Sequence, residues 1–158
     1  MIDSLLLLLD GFGTALTGTN LLYCFIGVML GMIIGVLPGL GPVSGTALLI
    51  PITFGMEPVS AIIMLSGIFY GSMYGGTITS VLVNVPGEAA SVITCIDGYE
   101  MTKKGRAGVA LGVAAIGSFI GGIVAVVALT FFGPILANVA LKFGPPEFFA
   151  IMLLGMLM

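Results

Sequence analysis

Long apolar runs alternate along the chain with short breaks rich in glycine and proline. A helix needs roughly 20 apolar residues to cross the hydrocarbon core of a bilayer. Residues 21–37, 59–85 and 109–132 approach or exceed that length and are predicted as spans. Residues 43–54 are apolar but short, and Pro51 interrupts them, which predicts a half-helix or a re-entrant arm. Residues 1–20 hold five consecutive leucines between Asp3 and Asp10, too few to span. This segment is predicted to lie in the membrane interface and to end in the Thr-Gly-Thr-Asn sequence at 17–20. Residues 86–108 contain the clearly hydrophilic stretch, with Asp97, Glu100, Lys103, Lys104 and Arg106, and are predicted as a loop. Gly133-Pro134 is expected to end the span 109–132, with an interfacial helix at 135–143. Residues 148–158 start a further span, and the chain stops inside it, the pattern of a fragment or a partial reading frame. The fold class that follows is an all-α integral membrane protein. It is a polytopic helix bundle whose helices break at Pro-Gly motifs, in some cases as re-entrant hairpins.

Two of the breaks fall inside apolar surroundings. The first, at 35–42, reads Gly-Val-Leu-Pro-Gly-Leu-Gly-Pro; the second, at 84–88, reads Asn-Val-Pro-Gly-Glu. Proline lacks an N–H and clashes with the preceding turn, while Gly39 and Gly41 tolerate positive φ. A helix broken in an apolar medium frees backbone groups, which is tolerated where the break is buried in protein or lines a cavity. Secondary transporters place such breaks at their ligand sites. The plain alternative is a surface turn between two spans.

Composition narrows the class. The chain is 59% hydrophobic and 7% charged, where a soluble domain is about a quarter charged. A net charge of −3 with four basic residues excludes a nucleic-acid footprint. There is no histidine, and Cys24 and Cys95 stand apart in apolar context, so neither metal ligation nor a metal cofactor is expected. The acidic start Met-Ile-Asp does not resemble a cleavable signal.

Glycine recurs every fourth residue at Gly27, Gly31, Gly35 and Gly39, and again at Gly67, Gly71 and Gly75. Positions four apart share a helix face, so these rows predict close helix packing. Gly117 and Gly121 make a shorter row in the third span. The second span also carries Tyr70, Tyr74 and the hydroxyls of Ser66, Ser72, Thr77, Thr79 and Ser80. They either line a polar cavity, with Gly75-Gly76 loosening the helix there, or the hydroxyls return to carbonyls of their own helix and the tyrosines sit in an interface belt.

In order and spacing, several motifs resemble one known family. They are Gly-Met-Ile-Ile-Gly-Val-Leu-Pro-Gly-Leu-Gly-Pro at 31–42, Ile-Phe-Tyr-Gly-Ser-Met-Tyr-Gly-Gly at 68–76 and Asn-Val-Pro-Gly-Glu-Ala-Ala-Ser at 84–91. Asp-Gly-Tyr at 97–99, Lys-Gly-Arg-Ala-Gly at 104–108 and Ala-Leu-Lys-Phe-Gly-Pro-Pro-Glu-Phe at 140–148 continue the series. On these motifs residues 1–158 look like the N-terminal part of the large membrane subunit of the tripartite tricarboxylate transporters. The resemblance implies a multi-pass carrier of the bacterial cytoplasmic (inner) membrane. It implies two partners: a periplasmic solute-binding protein that delivers a small carboxylate, and a small membrane subunit. It also implies transport driven by an ion gradient, with sodium or a proton as coupling ion and no other cofactor. The absence of a P-loop from the sequence agrees with a carrier that is not an ATPase.

No lysine or arginine falls inside a predicted span, so backbone N–H groups and hydroxyls must receive an anionic substrate. The expected substrate-binding residues are Pro38, Gly39, Gly41, Ser44, Gly45 and Thr46 at the first break, and Asn84, Pro86, Gly87 and Ser91 at the second. Glu88 would repel an anion and is assigned, with Asn84, to ion coupling; its alternative is a helix cap in an interfacial loop. Two rival classes stand beside transport. One is a non-transporting membrane anchor, an assembly subunit or an inactive fragment. The other is an intramembrane enzyme, disfavoured because no nucleophile–base pair is apparent.

Overall fold

The computed structural model describes residues 2–157, with side chains described from Leu8 onward. Met1 and Met158, the outer ends of the expected segments 1–20 and 148–158, lie outside the described residues. Seven α-helices follow in order among the described residues: α1 (Ile2–Ala15), α2 (Gly18–Gly35), α3 (Gly41–Leu49), α4 (Pro58–Val83), α5 (Val92–Lys103), α6 (Ala107–Ala140) and α7 (Pro145–Leu157). Short 3-10 turns stand at Ile50–Thr53 and Ala89–Ser91. No strand occurs among the described residues, and α2, α4 and α6 are long and apolar enough to cross a membrane. The protein is an all-α membrane protein, as the apolar pattern predicts. It divides into two compact units, Met1–Ala115 and Ile116–Met158.

The first unit is built on the seam between α2 and α4. Gly27, Gly31 and Gly35 lie against the carbonyls of Met64, Ile68 and Ser72. Reciprocally, Gly67, Gly71 and Gly75 lie against the carbonyls of Cys24, Val28 and Met32. At every one of these glycines an added Cβ would sit closer to the facing oxygen than van der Waals contact allows. Partner numbers rise together along both helices, so α2 and α4 run in the same direction. Both rows predicted as packing faces therefore interlock, and carbonyl oxygens in contact with glycine Cα–H groups add weak attraction along the seam. Gly39 leaves the row, since it lies beyond the end of α2 with φ +90° and nothing near it.

Two parallel helices need a connection that travels back. That connection is α3 with the turn Ile50–Thr53, the half-helix expected at 43–54. It ends near the start of α2 rather than turning back at the break, because the first turn of α4 is tied there. Ser60 Oγ donates to Asn20 Oδ1 at 2.6 Å, and Asn20 Nδ2 donates to the Thr14 carbonyl at 2.9 Å. Asn20 and Ser60 are both buried, so this polar tie is made where water is excluded. Leu49, Met64 and Ile68 form the small apolar core beside it.

Three boundaries differ from the sequence reading. Residues 86–108 are not a loop, because α5 occupies most of them. Their charge marks one wet face of a helix, not a lack of structure. Gly98 is buried against Val81 of α4, and Thr102 Oγ1 donates to the Val81 carbonyl at 2.7 Å. On the exposed side Lys103 pairs with Glu100 one turn away; the pair holds the Glu100 carboxyl below its ordinary range and the Lys103 ammonium above its own. Next, 17–20 is not a turn: α1 and α2 are separated only by Leu16 and Thr17, with extended Thr17 as the N-cap of α2. Finally, Gly133-Pro134 does not end α6, which continues to Ala140 and absorbs the expected interfacial helix. Proline removes one donor there, but the apolar flanks offer the backbone no better partner than the helix itself.

The second unit comprises the remainder of α6 with α7. Gly117 and Gly121 have no neighbour within 4 Å where a Cβ would project, so within this unit the row packs against nothing. The start of α7 is capped by Glu147, whose Oε2 accepts from the Gly144 N–H at 2.8 Å. Phe143 and Phe148 pack across the same corner with ring centroids 6.3 Å apart.

Candidate ligand site at the two helix breaks

The first break begins where Gly35 meets the Ser72 carbonyl, part-way along α4. From Ser72 to Val83 the helix continues for about 16 Å at the usual rise per residue. The chain at Val36 therefore leaves its helix beside the interior of α4, not beside its end. Leu37 N–H bonds the Ile34 carbonyl at 2.9 Å, closing the last turn of α2. Gly39 and Gly41 then take φ +90° and +64°, the left-handed region that only glycine enters freely, and α3 starts at once. Pro42 occupies the first turn of α3 and is buried, leaving the N–H groups of Gly41 and Val43 as donors of that turn.

The second break returns to the same place. Asn84 caps α4 in the left-handed conformation, φ 59°. The chain then doubles back so that Gly87 lies on Gly76, too close for a Cβ on Gly87. A Cβ there would also stand 3.2 Å from the Gly35 carbonyl oxygen. The two Pro-Gly segments, some fifty positions apart in sequence, thus converge on one junction of Gly35, Gly76 and Gly87. Gly75 and Gly76 do not loosen α4: one admits α2 and the other admits the second break.

The expected site residues separate into groups. Gly87 is buried at the junction, Gly45 is buried against Ile34 and Ser72, and Pro42 is buried in the first turn of α3. Pro38, Gly39, Asn84 and Pro86 are exposed. Ser44 is exposed, with its hydroxyl open on the first turns of α3. Thr46 Oγ1 donates back to the Pro42 carbonyl at 2.7 Å, so its proton is engaged. Ser91 is buried and engaged in both senses: its Oγ donates to the Glu88 carbonyl at 2.9 Å and accepts from the Glu88 N–H at 3.2 Å. Glu88 is half-buried, and its backbone nitrogen stands 3.7 Å from the Cβ position of Gly76. No group of three or more metal-ligating side chains occurs among the described residues.

Of the hydroxyls on α4, Thr77 returns to the Met73 carbonyl, and Thr79 and Ser80 return to that of Gly76. Tyr74 donates to the Leu111 carbonyl of α6 at 3.2 Å, and Tyr70 is exposed. The bonded groups among these, Thr77, Thr79, Ser80 and Tyr74, hold the helix and its neighbour, and the polar-cavity reading fails for them. Ser72 differs. It is 1% exposed and its Oγ has no hydrogen-bond partner. The sequence places Ser72 among many hydroxyls and gives no sign that it alone is unsatisfied. Gly35 and Gly76 are visible in sequence as members of glycine-rich motifs, but their junction with Gly87 is a long-range event.

The sequence profile described as "Tripartite tricarboxylate transporter TctA family" matches residues 21–158. The chain is 55% identical over 157 residues to an uncharacterized 52.8 kDa protein in the TAR-I ttuC' 3'region of Agrobacterium vitis. That alignment covers 99% of this chain and 31% of the relative, so the chain spans about a third of the relative's length. No solved structure matches. With the profile matching residues 21–158 and the relative aligned over 99% of this chain, this chain belongs to the tripartite tricarboxylate transporter TctA family.

Proposed function

We propose that the chain forms part of the membrane component of a secondary transporter for small carboxylates of the citrate type. The observation that carries the reading is the junction of the two breaks at Gly35, Gly76 and Gly87 beside the interior of α4. Non-helical backbone beside an apolar span is the arrangement in which transporters receive ions and anions. The substrate carboxylate is received by the first-turn N–H groups of α3 with Ser44, without a basic side chain. The second break, with Asn84 and Glu88, serves the coupling ion, sodium or a proton. The ion gradient drives transport, a periplasmic binding protein delivers the substrate, a small membrane subunit completes the system, and the bacterial inner membrane houses it. The chain carries out no covalent chemistry of its own.

The test is uptake of labelled citrate by the assembled system across a range of sodium concentrations and pH. Ser44→Ala is expected to weaken apparent affinity about tenfold, the worth of one hydrogen bond to a charged group. Glu88→Gln is expected to change the ion dependence more than the affinity. Unchanged affinity and unchanged ion dependence in both variants would make the breaks simple turns. A wild-type system that binds its partners but moves no citrate would favour an anchoring role.

A further inference from the structure

A serine inside a helix ordinarily returns its hydroxyl to a carbonyl one turn back, as Ser80 does to Gly76 at 2.8 Å. Ser72 does not, although it is almost fully enclosed. The carbonyl one turn before it, that of Ile68, is pressed against Gly31 on α2. Ser72 Oγ instead points at α3, standing 3.7 Å from the position a Cβ would take on Gly45. The Ile34 methyl group stands 2.9 Å from that position. An enclosed hydroxyl without a partner is costly to keep, and one in a native structure requires an explanation.

The surroundings supply one. Ser72 lies at the level of Gly35, where the first break begins, and α3 covers it with the second turn of a helix whose N-terminus is open. Ser72 Oγ faces Gly45, one helical turn along α3 from the first-turn donors at Gly41 and Val43. The helix dipole there favours negative charge. Within this unit no basic side chain contributes, since its Lys103, Lys104 and Arg106 are exposed at the far end of α5. The cover is bounded by left-handed glycines, Gly39 and Gly41 at one end of α3 and Gly55, φ +86°, beyond the other.

We infer that Ser72 is a substrate-contacting residue, its hydroxyl donating to a carboxylate of the substrate once α3 tilts away from it. This rests on the carboxylate reading above and adds to it a residue and a moving element. In the ligand-free state Ser72 is held unpaired under Gly45, and the ligand provides its missing acceptor.

The experiment compares wild type and Ser72→Ala in the assembled system, reading citrate uptake and the thermal unfolding midpoint with and without citrate. Removal of an unpaired hydroxyl leaves ligand-free stability unchanged or higher. Apparent affinity for citrate falls about tenfold, and the citrate-induced rise in midpoint shrinks. A serine with a purely structural role gives the opposite pair: lower ligand-free stability and unchanged affinity, and that result overturns the inference. Ser72→Cys provides a second reading should the alanine variant not assemble. A small neutral thiol reagent is expected to modify it slowly, and citrate to protect it; equal rates with and without citrate overturn the inference. If wild type itself shows neither citrate uptake nor a citrate-induced shift, the carboxylate reading fails. If wild type responds and Ser72→Ala responds equally, only the role of Ser72 fails.

Discussion

Glycine at the α2–α4 seam is chosen for what it lacks. Each of Gly27, Gly31, Gly35, Gly67, Gly71 and Gly75 faces a backbone carbonyl that has nowhere to move, because it belongs to the opposing helix. A flexible side chain would yield to a methyl group; a helical carbonyl does not. Gly31→Ala is therefore expected to cost on the order of 1–3 kcal/mol by overpacking. Gly31→Leu or Gly71→Leu is expected to prevent the seam from forming. The measurement is the yield of monodisperse protein and its unfolding midpoint, and normal values for the leucine variants would place these faces toward lipid. Gly117→Leu serves as contrast, since nothing stands near that position within its unit, and it is expected to leave the first unit unchanged. Much of this is legible in sequence, because a four-residue period names the face that packs. What the period cannot name is the partner atom. Nor does it separate Gly35, which serves both the seam and the junction, from Gly39, which serves neither. The hydroxyls show the same limit. Ser44, Thr46, Ser72 and Ser91 read alike in sequence, yet two are committed to local backbone, one is exposed and one is unpaired.

At the scale of elements, apolar length and breaker residues predict α2, α3 and α4 to within a few residues, because each is bounded by glycine or proline. The sequence reading goes astray where one signal carries two meanings. Charge in 86–108 signals exposure, and exposure of one face is compatible with the helix α5, tied down by Gly98 and Thr102. Proline at 134 signals a stop in water, whereas an apolar helix continues through it. The first break tests the element directly. Gly39 and Gly41 hold left-handed φ, which costs a non-glycine residue roughly 1–2 kcal/mol, more for a β-branched one. Gly41→Val is expected to displace the start of α3 and abolish citrate uptake with only moderate loss of protein. Retained uptake with normal protein would remove α3 from the site. The opposite end of the same arm depends on Asn20 and Ser60. Asn20→Leu is expected to lower stability by about 1 kcal/mol, the net worth of the bonds lost, since the Ser60 hydroxyl keeps Glu57 and the Thr14 carbonyl keeps Thr17 as partners. An unchanged unfolding midpoint would show that the polar tie is not what anchors α4 to α2.

For the molecule as a whole, the parallel course of α2 and α4 sets which ends share a membrane face. The start of α2 and the start of α4 meet through Asn20 and Ser60, so both lie on one side, together with the turn at Phe54 and Gly55. The hydrophilic end of α5 belongs to the other side, since Thr102 bonds Val81 near the C-terminal end of α4. Lys103, Lys104 and Arg106 follow Thr102 at once, and Lys/Arg bias places such clusters in the cytoplasm. Sequence alone orients this cluster but says nothing of the opposite face, because the direction of α3 is invisible until the seam shows α2 and α4 to be parallel. Together they predict a two-sided labelling pattern. A cysteine replacing Lys104 is expected to resist a membrane-impermeant thiol reagent added outside intact cells and to react once the membrane is opened. A cysteine replacing Phe54, a residue 76% exposed at the end of the return arm, is expected to react from outside. Exchange of the two results would invert the whole topology. Labelling of both from the same side would mean that the return arm does not cross, and that α2 and α4 do not traverse the membrane in the same direction.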